Sequence, residues 1–228
     1  MIPRRIITTW ICDAARDRYQ PRHREMLAHC LTSWLRLMPD YEVVVVTLGN
    51  LFAHGEDQWC ADRVREGNFI GCSQWARLRF LQARGGVFLD SDVEAVQRFD
   101  SLLSGGCTVG HLGNGQRLAN NCVMAAPAGH PFLSEQLAHI RGCDPRHPDF
   151  GNNTGPFMMT QLLARRGWDG EDRDAQAGEV TVRRSAVFHP YSWNVGFTPE
   201  CVQPDTIAIH HWASSWKPVQ EQPCATWR

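Results

Sequence analysis

The segment Gly71 to Glu94 reads GCSQWARLRFLQARGGVFLDSDVE, and its reading decides the fold. Ser73 is placed to cap a helix whose apolar positions are Trp75, Leu78 and Leu81, with Phe80 beside them. Gly85 or Gly86 supplies the left-handed residue that stops it. Val87-Phe88-Leu89 then forms a short buried strand, and Asp90-Ser91-Asp92 leaves its carboxyl end. In open α/β sheets, ligands sit beyond the carboxyl ends of the strands.

Upstream, Arg5 to Ile11 (RIITTWI) is β-branched and aromatic, which predicts a first strand. Apolar residues at Leu27, Cys30, Leu31, Trp34, Leu35 and Met38 have helical spacing over 22–38, and Pro39 ends the run. Tyr41 to Leu48 (YEVVVVTL) is a continuous β-branched run, the mark of a strand covered on both faces. A weaker helix is expected over 57–66. Strand, helix and buried strand open a doubly wound α/β fold. Beyond Asp100, short strands are predicted at 108–112, 122–126, 180–182, 186–188 and 206–209. Helices start near Pro131 and Pro156, each proline suiting a first helical turn.

The chain has 228 residues, 43% of them hydrophobic and 21% charged, with a formal net charge of −1. That balance gives no global field to attract nucleic acid, and no nucleic-acid partner is expected. The nine cysteines include no C-x-x-C pair, so they read as small buried hydrophobes of a reducing compartment. With no signal pattern after Met1 and no apolar run of the roughly 20 residues a membrane-spanning helix needs, a cytoplasmic protein is expected. Residues 1–218 are expected to form one domain. Within it, 1–100 make a nucleotide-binding half and 101–218 complete the donor and acceptor sites, with 219–228 a loose tail.

Two aspartates one residue apart at a strand exit are alike in charge and partly desolvated, so ionising both is costly unless they share a cation. Mg²⁺ or Mn²⁺ commonly binds through one or two carboxylates plus phosphate oxygens of a substrate. Asp-x-Asp alone is often a surface turn, but here it follows a helix carrying Arg77, Gly-Gly and an apolar triplet. Imidazole also suits Mn²⁺-type sites, and the histidine pair His210-His211 stands near the chain end in Ile209 to Trp216 (IHHWASSW).

The ordered constellation of Ser73, Gln74, Trp75 and Arg77, followed by Gly85 to Asp92, resembles the sugar-binding Asp-x-Asp glycosyltransferases (family 32). This group includes initiating mannosyltransferases and capsule and lipopolysaccharide sugar transferases, with clostridial glucosylating toxins as distant relatives. The resemblance implies a GT-A type nucleotide-sugar-binding α/β fold, a mixed, mostly parallel sheet flanked by helices. Its implied activity is metal-dependent, retaining transfer of a hexose from a nucleotide sugar, a UDP-sugar before GDP-mannose, to a glycan acceptor. It makes Asp92 the direct metal ligand, Asp90 a second metal ligand that orients the ribose or donor sugar, and His211 a third ligand. Ser214 or Ser215 would approach the metal and diphosphate, and Lys217 would add charge there. Trp216 would offer its indole N–H to the leaving oxygen, with Arg77 strengthening the charge stabilisation. Trp10 falls where the toxins stack a tryptophan on the base, Asn121 resembles a donor-touching Asn, and Thr154-Gly155-Pro156 resembles a recurrent turn. Gln74 departs from the family, which has an Asp contacting the donor sugar there.

The acceptor is expected to be set by variable loops among residues 111–120 and 143–153, and any peripheral membrane association would come through a lipid-linked acceptor. Two other readings share the core: an effector that glycosylates a protein, and a silent nucleotide-sugar or glycan-binding module. A phosphotransferase or hydrolase would set its first Asp in a different strand–loop context.

Overall fold

The computed structural model describes residues 1–11, 21–51, 58–147 and 149–213. The strands are β1 (Arg5–Thr9), β2 (Glu42–Val46), β3 (Gly86–Leu89), β4 (Val93–Ala95), β5 (Cys107–Gly113), β6 (Gln116–Ala126), β7 (Ala175–Ala177), β8 (Val180–Arg183) and β9 (Ala208–His210). The helices are α1 (Pro21–Leu37), α2 (Leu48–Leu51), α3 (Gln58–Arg65), α4 (Phe69–Arg84), α5 (Pro131–Gly142), α6 (Phe150–Asn153) and α7 (Pro156–Ala164).

A seven-stranded sheet has the order β2-β1-β3-β6-β5-β8-β7, and β4 pairs separately with β9. The expected α/β sheet with helices on its faces is present, and it is mixed. Pairs β1–β2, β1–β3 and β5–β8 are parallel, whereas β3–β6, β5–β6 and β7–β8 are antiparallel.

Side-chain alternation divides the core between the two faces. Ile7, Phe88 and Met124 pack on one side with Trp75, Leu78 and Leu81 of α4. Ile6, Val87, Leu89, Val123 and Ala125 pack on the other with Met26, Cys30 and Trp34 of α1. Each large apolar side chain buried this way stabilises the fold by about 1.5–3 kcal/mol. Helix α1 is also fastened by polar bonds: Trp34 Nε1 donates to the Val93 carbonyl at 2.8 Å, and Ala95 N donates to Ser33 Oγ at 2.9 Å. Both bonds fall on β4, directly after the Asp90-Ser91-Asp92 turn.

Helix α4 starts earlier than Ser73. Its cap is Asn68, whose side chain accepts from Gly71 N at 2.9 Å, while Ser73 Oγ bonds Thr9 Oγ1 at 2.7 Å. A full extra turn of helix is thereby placed against the end of β1. Gly85 closes the helix with φ +63°, and Gly86 follows at φ +135°.

Further expectations are corrected. Strand β2 is not covered on both faces: it stands at the sheet edge, and within it only Val46 is buried. Residues 111–120 are not an open loop; they belong largely to β5 and β6, joined by Asn114-Gly115 with φ +59° and +68°. Such left-handed pairs suit two-residue hairpins. Residues 185–187 form a 3₁₀ turn rather than a strand, with His189 N donating to Ser185 O at 2.6 Å. The carbonyls this frees at Val187 and Phe188 accept from Ile207 N and His210 N. Strand β7, absent from the sequence reading, pairs with β8. The expected tail at 219–228 lies outside the described residues.

Candidate functional site

Three parallel strands end together, and the functional side chains gather at that edge. Asp90 continues β3, its N–H donating to the Cys122 carbonyl of β6 at 2.8 Å. The chain then turns, with Val93 N bonding Asp90 O at 3.1 Å, and enters β4. Because β4 runs antiparallel to β9 with Val93 opposite His210, residues 210–213 come back beside Asp92. His211 N donates to Asp92 O at 2.9 Å, and Ala213 N donates to Asp92 Oδ2 at 2.7 Å.

Arg77 reaches this edge from α4. Its Nη2 lies 2.7 Å from Asp90 Oδ1, its Nη1 donates to the Asn121 carbonyl at 2.7 Å, and its guanidinium lies 4.4 Å from the Phe88 ring centroid. The residue is 5% exposed, so the cation is held by a fixed set of partners rather than by solvent. Beside it, Asn121 Nδ2 donates to Gln74 Oε1 at 2.9 Å. The Thr154-Gly155-Pro156 turn closes over that pair: a Cβ at Gly155 would stand 3.1 Å from Gln74 Nε2 and 3.6 Å from Asn121 Nδ2. Trp10 lies just past β1, half-buried, with its N–H donating to Val46 O at 2.7 Å.

The histidine pair splits between two neighbourhoods. His210 Nε2 lies 3.4 Å from Asp92 Oδ1, and the His210 ring packs 4.2 Å from Trp212. Asp90, Asp92 and His210 each present a ligand atom within 4.8 Å of the others. His211, the expected metal ligand, turns its ring away from this group: its Nε2 lies 3.0 Å from Glu94 Oε2. The physical reason is strand alternation, since consecutive side chains at the end of β9 point to opposite faces. Behind His210, Cys122 Sγ and His189 Nε2 are 2.9 Å apart and buried. Sequence reasoning missed His210, Cys122 and His189. The adjacent histidines were visible, but which of them faces the aspartates depends on the register with β4.

The electrostatics follow from crowding like charges. Burial raises the pKa of Asp90, Arg77 opposes that, and the Asp92 carboxylate raises it further, with a net upward shift. Burial also works against ionised Asp92, but the His210 charge and hydrogen bond, then the Ala213 N–H, outweigh it and bring its pKa to about 2. Burial acts against the charged form of His210 too, yet Cys122 and Asp92 hold its pKa well above the usual imidazole range. Asp90 and Asp92, with the His210 imidazole once an arriving ion displaces its proton, fit a hard divalent cation by donor chemistry. Ser214, Ser215, Trp216 and Lys217 lie outside the described residues.

Residues 24–108 match the family described as the glycosyltransferase sugar-binding region containing the DXD motif, a span running from α1 into β5 and including Arg77, Asp90 and Asp92. The solved structure titled "PaToxG Glycosyltransferase" superposes with a TM-score of 0.54 at 16% identity, covering 72% of this chain and 68% of that one. The apo-form glycosyltransferase GlyE of Streptococcus pneumoniae aligns more loosely, with a TM-score of 0.35 at 10% identity over 77% of this chain and 41% of that one. No curated protein sequence matches the chain.

Proposed function

We propose that this chain, a glycosyltransferase carrying the sugar-binding Asp-x-Asp region, moves a hexose from a nucleotide sugar to a glycan acceptor, with retention at the anomeric carbon. A UDP-sugar is favoured over GDP-mannose. The acceptor is a growing capsular, lipopolysaccharide or similar glycoconjugate chain, which would bring the enzyme to a membrane only through a lipid anchor on the acceptor. No described helix is long and apolar enough to cross a membrane. The seven described cysteines are free and five of them are buried, which fits a cytoplasmic setting.

One observation carries the reading: two carboxylates at the exit of β3 are each anchored through one oxygen, Asp90 by Arg77 and Asp92 by Ala213 N. Anchoring of this kind fixes a carboxylate pair and leaves Asp90 Oδ2, together with Asp92 Oδ1 beside His210 Nε2, facing a shared ligand position. Asp90, Asp92 and His210 would hold Mn²⁺ or Mg²⁺, which when bound supplies Lewis-acid stabilisation of the charge developing on a departing diphosphate. Arg77 is a positioning residue in this scheme: buried between Asp90 and the Asn121 carbonyl, it sets the carboxylate rather than meeting the phosphates. Gln74 and Asn121, bonded to each other under the Gly155 turn, would present amide groups to the donor sugar. Trp10, at the carboxyl end of β1, would stack on the base. By resemblance, Ser214 or Ser215, Trp216 and Lys217 would complete the diphosphate side. The acceptor hydroxyl would attack from the face the diphosphate leaves: the bond from the anomeric carbon to the diphosphate breaks as the new glycosidic bond forms, the diphosphate takes the hydroxyl proton, and no protein nucleophile is required.

The test is Mn²⁺-dependent binding and slow hydrolysis across a panel of nucleotide sugars, with Asp92→Ala beside the wild type. A single donor that binds and turns over with Mn²⁺, and fails with Asp92→Ala, supports the proposal. Full activity in the variant, or no metal-dependent response to any donor, overturns it.

A further inference from the structure

A second group of metal-ligating side chains lies outside the aspartate pair and draws on three separate elements. His29 comes from α1, Glu94 from β4 and His211 from the residue after β9. Glu94 Oε2 lies 3.1 Å from His29 Nε2 and 3.0 Å from His211 Nε2, and the three ligand atoms lie within 4.8 Å of one another. A tetrahedral ion with bonds of roughly 2.0–2.1 Å sets its ligand atoms about 3.3–3.4 Å apart. The two oxygen-to-nitrogen spacings therefore need to open by only a few tenths of an ångström.

The surroundings are those of a supported site. Tyr191 Oη lies 3.4 Å from His211 Nδ1, and Phe197 packs edge-on to the same ring with centroids 6.0 Å apart. A histidine that ligates through Nε2 carries its proton on Nδ1 and needs an acceptor there, which the tyrosine oxygen provides. The inner ligand is enclosed, with the His211 side chain 4% exposed, while that of His29 is 44% exposed. An ion can arrive along the His29 side and keep a coordination position facing water.

We propose that His29, Glu94 and His211 form a binding site for a divalent ion of the Zn²⁺ class, distinct from the Asp90–Asp92 pair. Two imidazoles and one carboxylate with an open fourth position are a zinc donor set. The hard Mg²⁺ or Mn²⁺ expected at the aspartates prefers oxygen ligands. The ion would tie α1 to β4 and to the chain after β9, and so steady the segment that carries Ala213 N to Asp92. Neutral imidazoles bind it through Nε2, His211 shifting its proton to Nδ1, so no redox partner is involved. This site does not depend on the identity of the sugar donor.

The experiment is a Zn²⁺ titration of the full chain under excess Mg²⁺, read by equilibrium dialysis with metal analysis and by thermal melting. The wild type should take up one Zn²⁺ per chain and melt higher when loaded. His29→Ala, at a half-exposed position, and Glu94→Gln should each weaken binding on the order of 100-fold, and Tyr191→Phe by roughly 10-fold. Cys122→Ser should bind as the wild type does. The proposal is overturned if His29→Ala, shown folded by circular dichroism, keeps wild-type affinity, or if the wild type takes up no Zn²⁺. Loss of the ion in a folded Cys122→Ser variant would also overturn it, by moving the ion to the Cys122–His189–His210 cluster.

Discussion

Arg77 Nη2 meets Asp90 Oδ1 at 2.7 Å, joining the middle of α4 to the end of β3. The second nitrogen holds the Asn121 carbonyl, so one planar cation sets both a carboxylate and a β6 backbone group. Lysine carries the charge but lacks the fork. Arg77→Lys is expected to lower kcat/KM for donor hydrolysis by about 100-fold with donor affinity less affected, measured by steady-state kinetics. Arg77→Met leaves the half-buried Asp90 carboxylate and the Asn121 carbonyl without their partner and should destabilise the fold by about 1–3 kcal/mol in urea melts. Wild-type kinetics for Arg77→Lys would remove the positioning role.

Gly86 opens β3 at φ +135°, and a Cβ there would come within 2.8 Å of Arg5 O on the neighbouring strand. The obstacle is backbone of a paired strand, which cannot swing aside, and the conformation is one side chains rarely adopt. Gly86→Ala should therefore cost about 1–3 kcal/mol or more of stability, read from the urea midpoint. Gly129→Ala is a useful comparison: it has φ +74° but nothing within 4 Å of a Cβ, so it should show only the conformational part.

Much of this was legible in the sequence because local pattern and tertiary role coincide there. The run Val43 to Val46 had to be a strand, though not the doubly covered one expected, and Gly85-Gly86 before Val87-Phe88-Leu89 had to end a helix and open a strand. Arg77 and Asp90 stood in one family motif, but their ion pair was not read, since the resemblance set Arg77 toward the leaving charge. The Asn114-Gly115 turn was readable too, as a hairpin signal, and was passed over for a loop. What could not be read depends on register across long separations. Whether His210 or His211 faces Asp92 is set by the pairing of β4 with β9, more than a hundred residues apart. Asn68 displaced Ser73 as the cap because Ser73 is taken by Thr9 from β1, a contact no local window contains.

Glu94 provides the pH test, performed with chelator present. Partial burial raises its pKa, but the hydrogen bonds from His211 and His29 outweigh that and hold it below the ordinary glutamate range. A depressed folded-state pKa means the unfolded chain binds more protons in acid. The contribution is therefore complete above the unfolded value of about 4.3 and is lost as pH falls through the lower folded value. Glu94→Gln should be less stable than the wild type by about 1–2 kcal/mol near neutrality, with the two converging in acid. Parallel stability curves across that window would show that these hydrogen bonds contribute nothing.

His210 and His211 offer a sharper separation, because adjacent residues serve different neighbours. His210 Nε2 is 3.4 Å from Asp92 Oδ1, whereas the His211 ring is turned to Glu94. If the cation of the donor complex is held by Asp90, Asp92 and His210, then His210→Gln should raise the Mn²⁺ concentration for half-maximal donor binding by roughly 10- to 100-fold. His211→Gln should move it little. Backbone contacts cannot produce this difference, since the His211 N–H to Asp92 O bond survives both substitutions. Titrating Mn²⁺ against each variant with one nucleotide sugar decides the matter. The opposite ranking would mean that donor binding re-turns the His211 ring toward the aspartates and that His210 serves only as their counter-charge.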